Sequence, residues 1–419
     1  MPRDKSALPA GAGRVLILFL SVSLLLSGCG AEGAEKINIL LTGHFQGHSN
    51  QLPDFFSEEP LVEYTGVPTR GVSGGMRVLM KYIRQYFPRT YEEMQGYDFI
   101  FLNSPEYYVF TTKQDQWMYD RVVEGAGGFN DASVFSQIAQ IHNAWANSML
   151  QRTFPNDAPA VVARGGGGEA LLNFFSVVIN RDAKDPVLKV FIPFGVEDTP
   201  GDTSRFVIPK EPSETLAWQI GNFPGIARVP YLIIWDYGEG RTVTCGDCMH
   251  ASGGWFSRPQ TTTDNLYAAD ILMNLILDCT GRDLIDDVAV FHRVKSSLTE
   301  FRNRMAVLIS LKDFVEKFGA NTRKVQDMIW ELDQMGREGK DHYMNGEFVE
   351  CEESMNEAFD YFSEANEEAK KVKDSALLWV YVIEWAVTTS VLILSSFVLW
   401  TLMVRRRLYK AIETTRMVQ

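Results

Sequence analysis

The sequence predicts a doubly wound α/β domain with a mostly parallel sheet, followed by a small α-helical bundle and one transmembrane helix. Short apolar runs alternate with segments of helical spacing between residues 37 and 277, as in sheets covered by helices on both faces. From about Asp286 onward, glycine and proline become scarce and apolar residues recur every three or four positions. Residues 385–404 carry no charge and are numerous enough to cross a bilayer.

The N-terminus predicts export. Three basic residues precede residues 15–26, an apolar run of signal-peptide length. The run ends in Leu-Ser-Gly-Cys29, which resembles the lipobox of bacterial lipoproteins. We therefore expect residues 1–29 to be a signal peptide and Cys29 to be lipidated. An ordinary signal peptide, cleaved nearby and giving Cys29 no role, is the alternative.

Composition restricts the class of partner. The chain has 419 residues and a net charge of −13 at pH 7. This charge argues against a nucleic-acid partner, because phosphates require a basic surface. It also disfavours a domain that lies flat on an anionic membrane. Nothing in the sequence indicates a cofactor.

Apolar patterning predicts the elements of an α/β ectodomain over residues 36–284. Buried strands are predicted at residues 37–41, 97–102, 160–163, 187–192, 231–235 and 241–245. Helices are predicted at residues 76–86, 114–123 and 265–277. In a sheet of this kind, functional residues are expected at the carboxyl ends of the strands.

Residues 286–375 predict a helical stalk. The apolar positions form three series: Phe301, Met305, Leu308, Val315 and Phe318; Val325, Met328, Ile329, Leu332 and Met335; Met355, Phe359 and Phe362. We expect an antiparallel bundle whose last helix continues into the membrane span. Such a stalk serves as a spacer, or as a contact surface for a protein partner or a homo-oligomer.

Residues 377–404 predict a single-pass transmembrane helix. Trp379, Tyr381 and Trp385 lie at one end and Trp400 lies at the other, as is typical of membrane interfaces. Three arginines follow at 405–407 and predict a cytoplasmic tail of residues 405–419. The bulk of the chain is therefore expected to be extracytoplasmic and anchored in the cell membrane. A buried core helix is the alternative interpretation.

Several stretches resemble the class I glutamine amidotransferase-like superfamily. Residues 97–102, followed by a helix and then by EGAGGF at 124–129, resemble its strand, helix and glycine-rich second strand. Residues 145–155 resemble its tryptophan-to-proline segment. Residues 235–243, which contain YGEGR, resemble its late hairpin, and residues 185–188 are a weaker match. The resemblance implies a flavodoxin-like, amidotransferase-like α/β fold.

The chain departs from this superfamily where its reaction takes place. Active members need a cysteine nucleophile in a G-x-C-x-G elbow, with a distant His and Glu. No cysteine lies between Cys29 and Cys245, and the corresponding stretch offers Phe129, Asn130 and Asp131. The resemblance, which covers residues 37–279, therefore implies the fold without the glutaminase reaction. We expect a membrane-anchored domain that binds a ligand or partner at the strand ends.

Histidines and one aspartate support a second hypothesis. His44 and His48 follow the first predicted strand, and His142 and His250 could approach the same edge. Together with Asp131 they would suit an extracytoplasmic hydrolase that uses a metal or acid–base catalysis. Solvated loop histidines are the alternative.

Four cysteines lie in the predicted ectodomain: Cys245, Cys248, Cys279 and Cys351. An even set in an oxidising compartment is compatible with two disulfides, and three pairings are open. Proximity favours a Cys245–Cys248 bond. Thiol–disulfide exchange at this C-x-x-C pair is one alternative. Zinc held by Cys245, Cys248 and His250 is another, although the sequence supplies no fourth ligand.

Two glycine motifs receive a structural interpretation. Residues 71–75 fit G-x-S-x-G, but the proline-containing segment before them predicts a loop, whereas a nucleophile elbow needs a strand. Ser73 is therefore expected to cap the next helix. Residues 165–170 fit G-x-G-x-x-A, but no acidic residue ends a following strand, so a loop is expected there.

Overall fold

The computed structural model describes residues 35–44, 51–70, 75–131, 139–157, 172–204, 207–221, 228–246, 249, 255–256 and 264–416. The predicted signal peptide and Cys29 lie outside these residues, as do the predicted strand at 160–163 and the glycine motif at 165–170.

The described strands build one nine-stranded sheet and one two-stranded pair. They are β1 (Ile37–His44), β2 (Val62–Arg70), β3 (Phe99–Asn103), β4 (Gly127–Asp131), β5 (Asn156–Asp157), β6 (Leu172–Ile179), β7 (Pro200–Ser204), β8 (Ile208–Pro209), β9 (Glu214–Ile220), β10 (Val229–Tyr237) and β11 (Gly240–Cys245). The large sheet has the order β2-β1-β3-β4-β11-β10-β9-β6-β7, and β5 pairs with β8.

The large sheet divides into two halves by strand direction. Strands β2, β1, β3, β4 and β11 are parallel. From β11 through β10, β9 and β6 to β7, every pairing is antiparallel. The predicted α/β class is confirmed, and the parallel half contains the predicted strands β1, β3 and β11. In the antiparallel half the sequence predicted only β10 and β11. Strands β6, β7 and β9 were not predicted.

Helices cover both faces of the parallel half. They are α1 (Leu52–Glu58), α2 (Met76–Tyr86), α3 (Tyr91–Gln95), α4 (Thr112–Val123), α5 (Ala139–Ala146) and α6 (Ala268–Cys279). Leu40 and Ile100 belong to a core that contains the buried residues of α2 and α4. Their sequence neighbours Leu41 and Phe101 belong to the opposite core, with α1 and α6. This period of two places every second residue against a different helical layer.

Two predicted elements differ from the structure. The segment before Gly71 was expected to be a loop because of Pro68, but it forms β2. Strand β2 is an edge strand of the large sheet, where proline is tolerated. Residues 187–192 were expected to be a strand, but the 3₁₀ helix Lys189–Phe194 occupies this stretch and buries Phe191.

The bundle consists of α7 (Val288–Glu316), α8 (Arg323–Met344) and α9 (Phe348–Arg416). Its buried residues, including Phe291, Leu332 and Met355, belong to the same hydrophobic core as Ile39 and Phe101 of the sheet. The predicted stalk therefore packs directly against the α/β domain.

Helix α9 is a single helix of 69 residues, about 100 Å long at 1.5 Å per residue. It confirms that the last bundle helix continues into the predicted span. Among the described helices, only α9 is long and apolar enough to cross a membrane, and its most apolar window has a mean hydropathy of 2.0 and no buried residues.

Candidate functional site at the carboxyl ends of the parallel strands

A row of buried polar residues crosses the parallel half of the sheet near the carboxyl ends of its strands. Each strand contributes one uncharged residue of this kind within its last three positions: Thr69 in β2, Thr42 in β1, Asn103 in β3, Asn130 in β4 and Thr244 in β11. All five are fully buried. We call these five residues the strand-end row. Buried polar side chains at this edge of an open α/β sheet mark the usual position of a ligand site.

The ends of the neighbouring strands β1 and β3 approach each other very closely. Gly43 has a φ of 132°, and a Cβ at this position would lie 1.7 Å from the carbonyl oxygen of Asn103. The Asn103 side chain donates from Nδ2 to the carbonyl oxygen of His44 at 2.8 Å. Glycine is therefore required at position 43, and the end of β1 is fixed to the end of β3.

Asp131 holds the residue that follows β3. The Ser104 amide donates to Asp131 Oδ1 at 2.8 Å, and its hydroxyl donates to Oδ2 at 2.6 Å. Ser104 has a φ of 52°, a left-handed conformation that a non-glycine residue adopts only when its surroundings enforce it. Arg70 Nη1 also lies 3.5 Å from the Ser104 carbonyl oxygen. Both carboxylate oxygens of Asp131 thus shape the backbone at the site.

Several polar atoms of the strand-end row have no hydrogen-bond partner among the described residues. These are both side-chain amide atoms of Asn130, the side-chain oxygen of Asn103 and the hydroxyl of Thr69. A buried polar group without a partner costs about 1–3 kcal/mol of stability. In register, Asn130 lies between Leu102 and Thr244, and the Thr244 hydroxyl donates to Asn156 Oδ1 at 2.7 Å. The Asn130 amide is therefore the largest unmet hydrogen-bonding group in the row.

The glycines of β4 have a packing role. A Cβ at Gly127 would lie 2.6 Å from the Phe99 ring and 2.9 Å from Cys279. A Cβ at Gly128 would lie 3.1 Å from the Phe154 ring. The glycine-rich stretch that resembles an amidotransferase strand is therefore explained by close packing on both faces of the sheet.

The structure brings several predicted site residues to one edge. His44 ends β1, Asp131 ends β4 and Cys245 ends β11, where it is the register partner of Asp131. The predicted partners His48, Cys248 and His250 lie outside the described residues. Within the described part of the chain, no group of three His, Cys, Asp or Glu side chains is arranged to hold a metal ion.

The two-disulfide prediction is not supported. Cys279 and Cys351 are buried free thiols. Cys279 ends α6 and packs against Gly127, whereas Cys351 lies in the first turn of α9. Burial raises the pKa of Cys279 well above its usual range and raises the pKa of Cys351 to about 11. A Cys245–Cys248 bond stays a prediction, because Cys248 lies outside the described residues.

The N-cap position of α2 is Gly75, and this helix has no side-chain cap among the described residues. The strand that a G-x-S-x-G elbow needs is present as β2, contrary to the sequence prediction. Ser73 itself lies outside the described residues.

An ion network at the opposite end of β11 was not predicted. Arg241 contacts Asp278 at 2.7 Å and Asp236 at 2.8 Å, and it also pairs with Asp185. Burial raises the pKa of Asp278, and the Arg241 charge opposes this shift. Arg241 belongs to YGEGR and Asp185 begins the other amidotransferase-like stretch, so these two segments meet in a structural ion pair far along the strand from Cys245.

A second network joins the α/β domain to the bundle. Lys295 Nζ lies 2.9 Å from Glu59 and 3.7 Å from Asp270. The Tyr343 hydroxyl donates to Glu59 at 2.8 Å, and His292 Nδ1 lies 2.6 Å from Asp270. Burial lowers the pKa of Lys295, but the two carboxylates outweigh this effect and raise it overall. The five residues fix the bundle to the domain.

Comparison with known proteins assigns no family. No family model and no curated protein matches the chain. Among solved structures, a cytoplasmic protein from Salmonella typhimurium LT2 is 19% identical, with a TM-score of 0.43 over 58% of this chain and 99% of its own. A second Salmonella typhimurium cytoplasmic protein is 14% identical, with a TM-score of 0.42 over 57% and 98%.

A cold-adapted β-galactosidase from Rahnella sp. R3 is 12% identical, with a TM-score of 0.33 over 65% of this chain and 35% of its own. All three TM-scores are below 0.5, and similarity at this level supports no argument about function.

Proposed function

We propose that this chain is a membrane-anchored protein whose α/β domain binds a small, neutral, polar ligand at the strand-end row without transforming it. The main support is Asn130, which is fully buried and whose side-chain amide has no hydrogen-bond partner among the described residues. Its NH₂ group and oxygen can donate and accept simultaneously. It is therefore an uncharged group that can both donate to and accept from a ligand.

The strand order supports the location of this site. The parallel strands run in the order β2-β1-β3-β4-β11. The chain therefore passes from β1 to β2 on one side and then crosses to β3 on the other side of β1. This is the order of flavodoxin-like sheets, which bind ligands at the point of reversal. The row spans that point, and Asn130 lies on β4, beside β3. We further propose that the chain is an amidotransferase-like member without the nucleophile, because Asn130 and Asp131 occupy the stretch where a cysteine is required.

The rival function is hydrolysis that uses a metal or acid–base catalysis with His44, His48, Asp131 or His250. Asp131 is poorly placed for that role because both of its oxygens accept hydrogen bonds from Ser104. Metal analysis of the purified full chain distinguishes the two functions. We expect less than stoichiometric transition metal, whereas one zinc per chain would support the hydrolase.

The proposed location is the cell membrane, with the α/β domain and bundle outside and residues 405–419 inside. It rests on the single apolar helix α9 and on the arginines at 405–407. Digestion of intact cells with an external protease should remove the α/β domain, and its protection until the cells are lysed would contradict this orientation.

The binding proposal predicts an unusual response to substitution at Asn130. A buried polar group without protein partners can be replaced by an apolar group of similar size at little cost. Asn130→Leu should therefore leave the free energy of unfolding of the ligand-free chain unchanged or increase it. The measurement is denaturant unfolding of the detergent-solubilised full chain, monitored by tryptophan fluorescence.

Asn274 provides a matched control. It is fully buried, but its Nδ2 donates to the Val187 carbonyl at 2.7 Å and its Oδ1 accepts from the Ile285 amide at 2.9 Å. Asn274→Leu leaves both backbone groups unpaired and should lower the free energy of unfolding by about 2 kcal/mol or more. An equal loss in Asn130→Leu would show that the protein itself satisfies the Asn130 amide, and would contradict the proposed site.

A further inference from the structure

The turn between α7 and α8 exposes apolar rings at one end of the bundle. Phe314 and Phe318 lie on the last turn of α7 and just beyond it, and each is 44% exposed. Their ring centroids are 5.0 Å apart in an edge-to-face arrangement. Trp379 of α9 is 65% exposed. We call these three rings, together with residues 317–322, the bundle tip.

The bundle tip lies beside α9 at the level where its apolar stretch begins. A groove of about 550 Å³ is lined on one side by residues of the turn and on the other by residues of α9. The lining residues are Phe318, Gly319, Ala320 and Asn321, facing Lys371, Val372, Ser375, Ala376 and Trp379. The height of the turn along α9 is therefore known from the structure.

This height corresponds to the headgroup layer of a bilayer crossed by α9. Residues 377–404 would extend about 42 Å as a helix, whereas the hydrocarbon core is about 30 Å thick. The surplus of about 12 Å matches the polar layers, which add roughly 10–15 Å in total, or about 6 Å at each end of a centred span. Trp379 is the third residue of this span and lies about 3 Å from its outer end. Residues beside Trp379 would therefore meet lipid headgroups.

The chemistry of the bundle tip suits this layer. Aromatic side chains are favoured at the membrane interface. Two nearby lysines are paired with acidic neighbours: Lys312 lies 3.2 Å from Glu316, and Lys324 lies 3.1 Å from Glu368. Lys317 is the one lysine of the bundle tip, so the tip presents three apolar rings and a single lysine rather than a basic patch. The rings would therefore provide the main contact, and neutral lipids should suffice.

We propose that the bundle tip inserts into the headgroup layer of the same bilayer that α9 crosses. The inference rests on the proposed membrane anchor and extends it from one contact to two. Two contacts fix the rotation and tilt of the bundle, and the bundle shares its core with the α/β domain. The strand-end row would therefore be held at a fixed height and orientation relative to the membrane.

Photo-crosslinking tests the contact directly. p-Benzoylphenylalanine is introduced at position 318, 349 or 392 of the full chain, which is then reconstituted in phosphatidylcholine nanodiscs, irradiated and analysed by mass spectrometry. Val349 is a matched control, because it is apolar and 56% exposed but lies about 45 Å along α9 from Trp379. Leu392 lies in the middle of the proposed span and reports insertion of α9 itself.

Positions 318 and 392 should crosslink to phospholipid, and position 349 should give at least tenfold less lipid adduct. Lipid adducts at 392 but not at 318 would overturn the proposal while leaving the membrane anchor intact. Adducts of position 318 with a second copy of the chain, instead of lipid, would also overturn it. Absence of lipid at 392 would overturn both the anchor and the contact.

Discussion

At the scale of single residues, both carboxylate oxygens of Asp131 accept hydrogen bonds from Ser104. Asp131→Asn removes one carboxylate oxygen and leaves an NH₂ group facing a Ser104 donor. We expect it to lower the free energy of unfolding by about 1–3 kcal/mol, because Ser104 is held in a left-handed conformation by these bonds. Denaturant unfolding measures the change. Asp182→Asn, at an exposed position, is the control, and equal stability of the two variants would refute the role of Asp131.

The buried thiols of Cys279 and Cys351 should be slow to react. At pH 8, Cys279 and Cys351 should react with iodoacetamide at least about 100-fold more slowly than an exposed cysteine, because their raised pKa values leave little thiolate. Reactivity increases as pH rises towards those values. After unfolding without a reducing agent, peptide mapping should find both residues alkylated. Blocked residues at that step would instead show that they form disulfides.

Single residues at the site were only partly predictable. His44 was identified because it follows an apolar run that predicts a strand, and Asp131 because it lies in the glycine-rich stretch that resembles an amidotransferase strand. The need for Gly43, the left-handed Ser104 and the unmet amide of Asn130 depends on how neighbouring strands align. Register is a property of two distant segments, so a single stretch of sequence does not reveal it.

At the scale of elements, the contact between α7 and the domain depends on a buried charge. Lys295→Met leaves Glu59 and Asp270 buried without their cation, and it should lower the free energy of unfolding by about 3–5 kcal/mol. Lys324→Met is the control, because Lys324 is largely exposed and its pair with Glu368 contributes little. Similar stability of the two variants would show that the buried network does not secure this contact.

This contribution has a defined pH dependence. The folded-state pKa of Lys295 lies above its ordinary value of 10.5, so the folded chain binds this proton more tightly than the unfolded chain does. The stability difference between wild type and Lys295→Met should decrease as pH rises above about 10.5 and through the folded-state pKa. A decrease as pH rises from about 8 to about 10 would contradict the assignment.

Where the local apolar pattern is strong, the predicted elements agree with the structure. Met76–Tyr86 was predicted to the residue, and α7 to α9 follow from their three- and four-residue spacing. The failures have local causes. Pro68 suggested a loop, although an edge strand accommodates it, and the apolar run before Pro193 suggested a strand although it packs as a 3₁₀ helix.

At the scale of the whole molecule, α9 connects the candidate membrane span to the domain that carries the strand-end row. It is one continuous helix, it packs in the bundle, and the bundle shares a core with the sheet. An apolar span with flanking aromatic residues and arginines is readable from sequence because it depends on composition alone. The shared core cannot be read from the sequence in this way. It depends on contacts between distant residues, such as Tyr343 and Glu59, which are 284 residues apart.

Native mass spectrometry of the full chain tests the central proposal most directly. Wild type and Asn130→Leu are each incubated with a panel of small neutral polar compounds, such as sugars, amides and nucleosides. We predict that wild type binds one copy of a compound whose mass is unchanged on release, and that Asn130→Leu does not bind it. Equal binding by the variant, or conversion of the compound to a product by wild type, would contradict a binding site at the strand-end row.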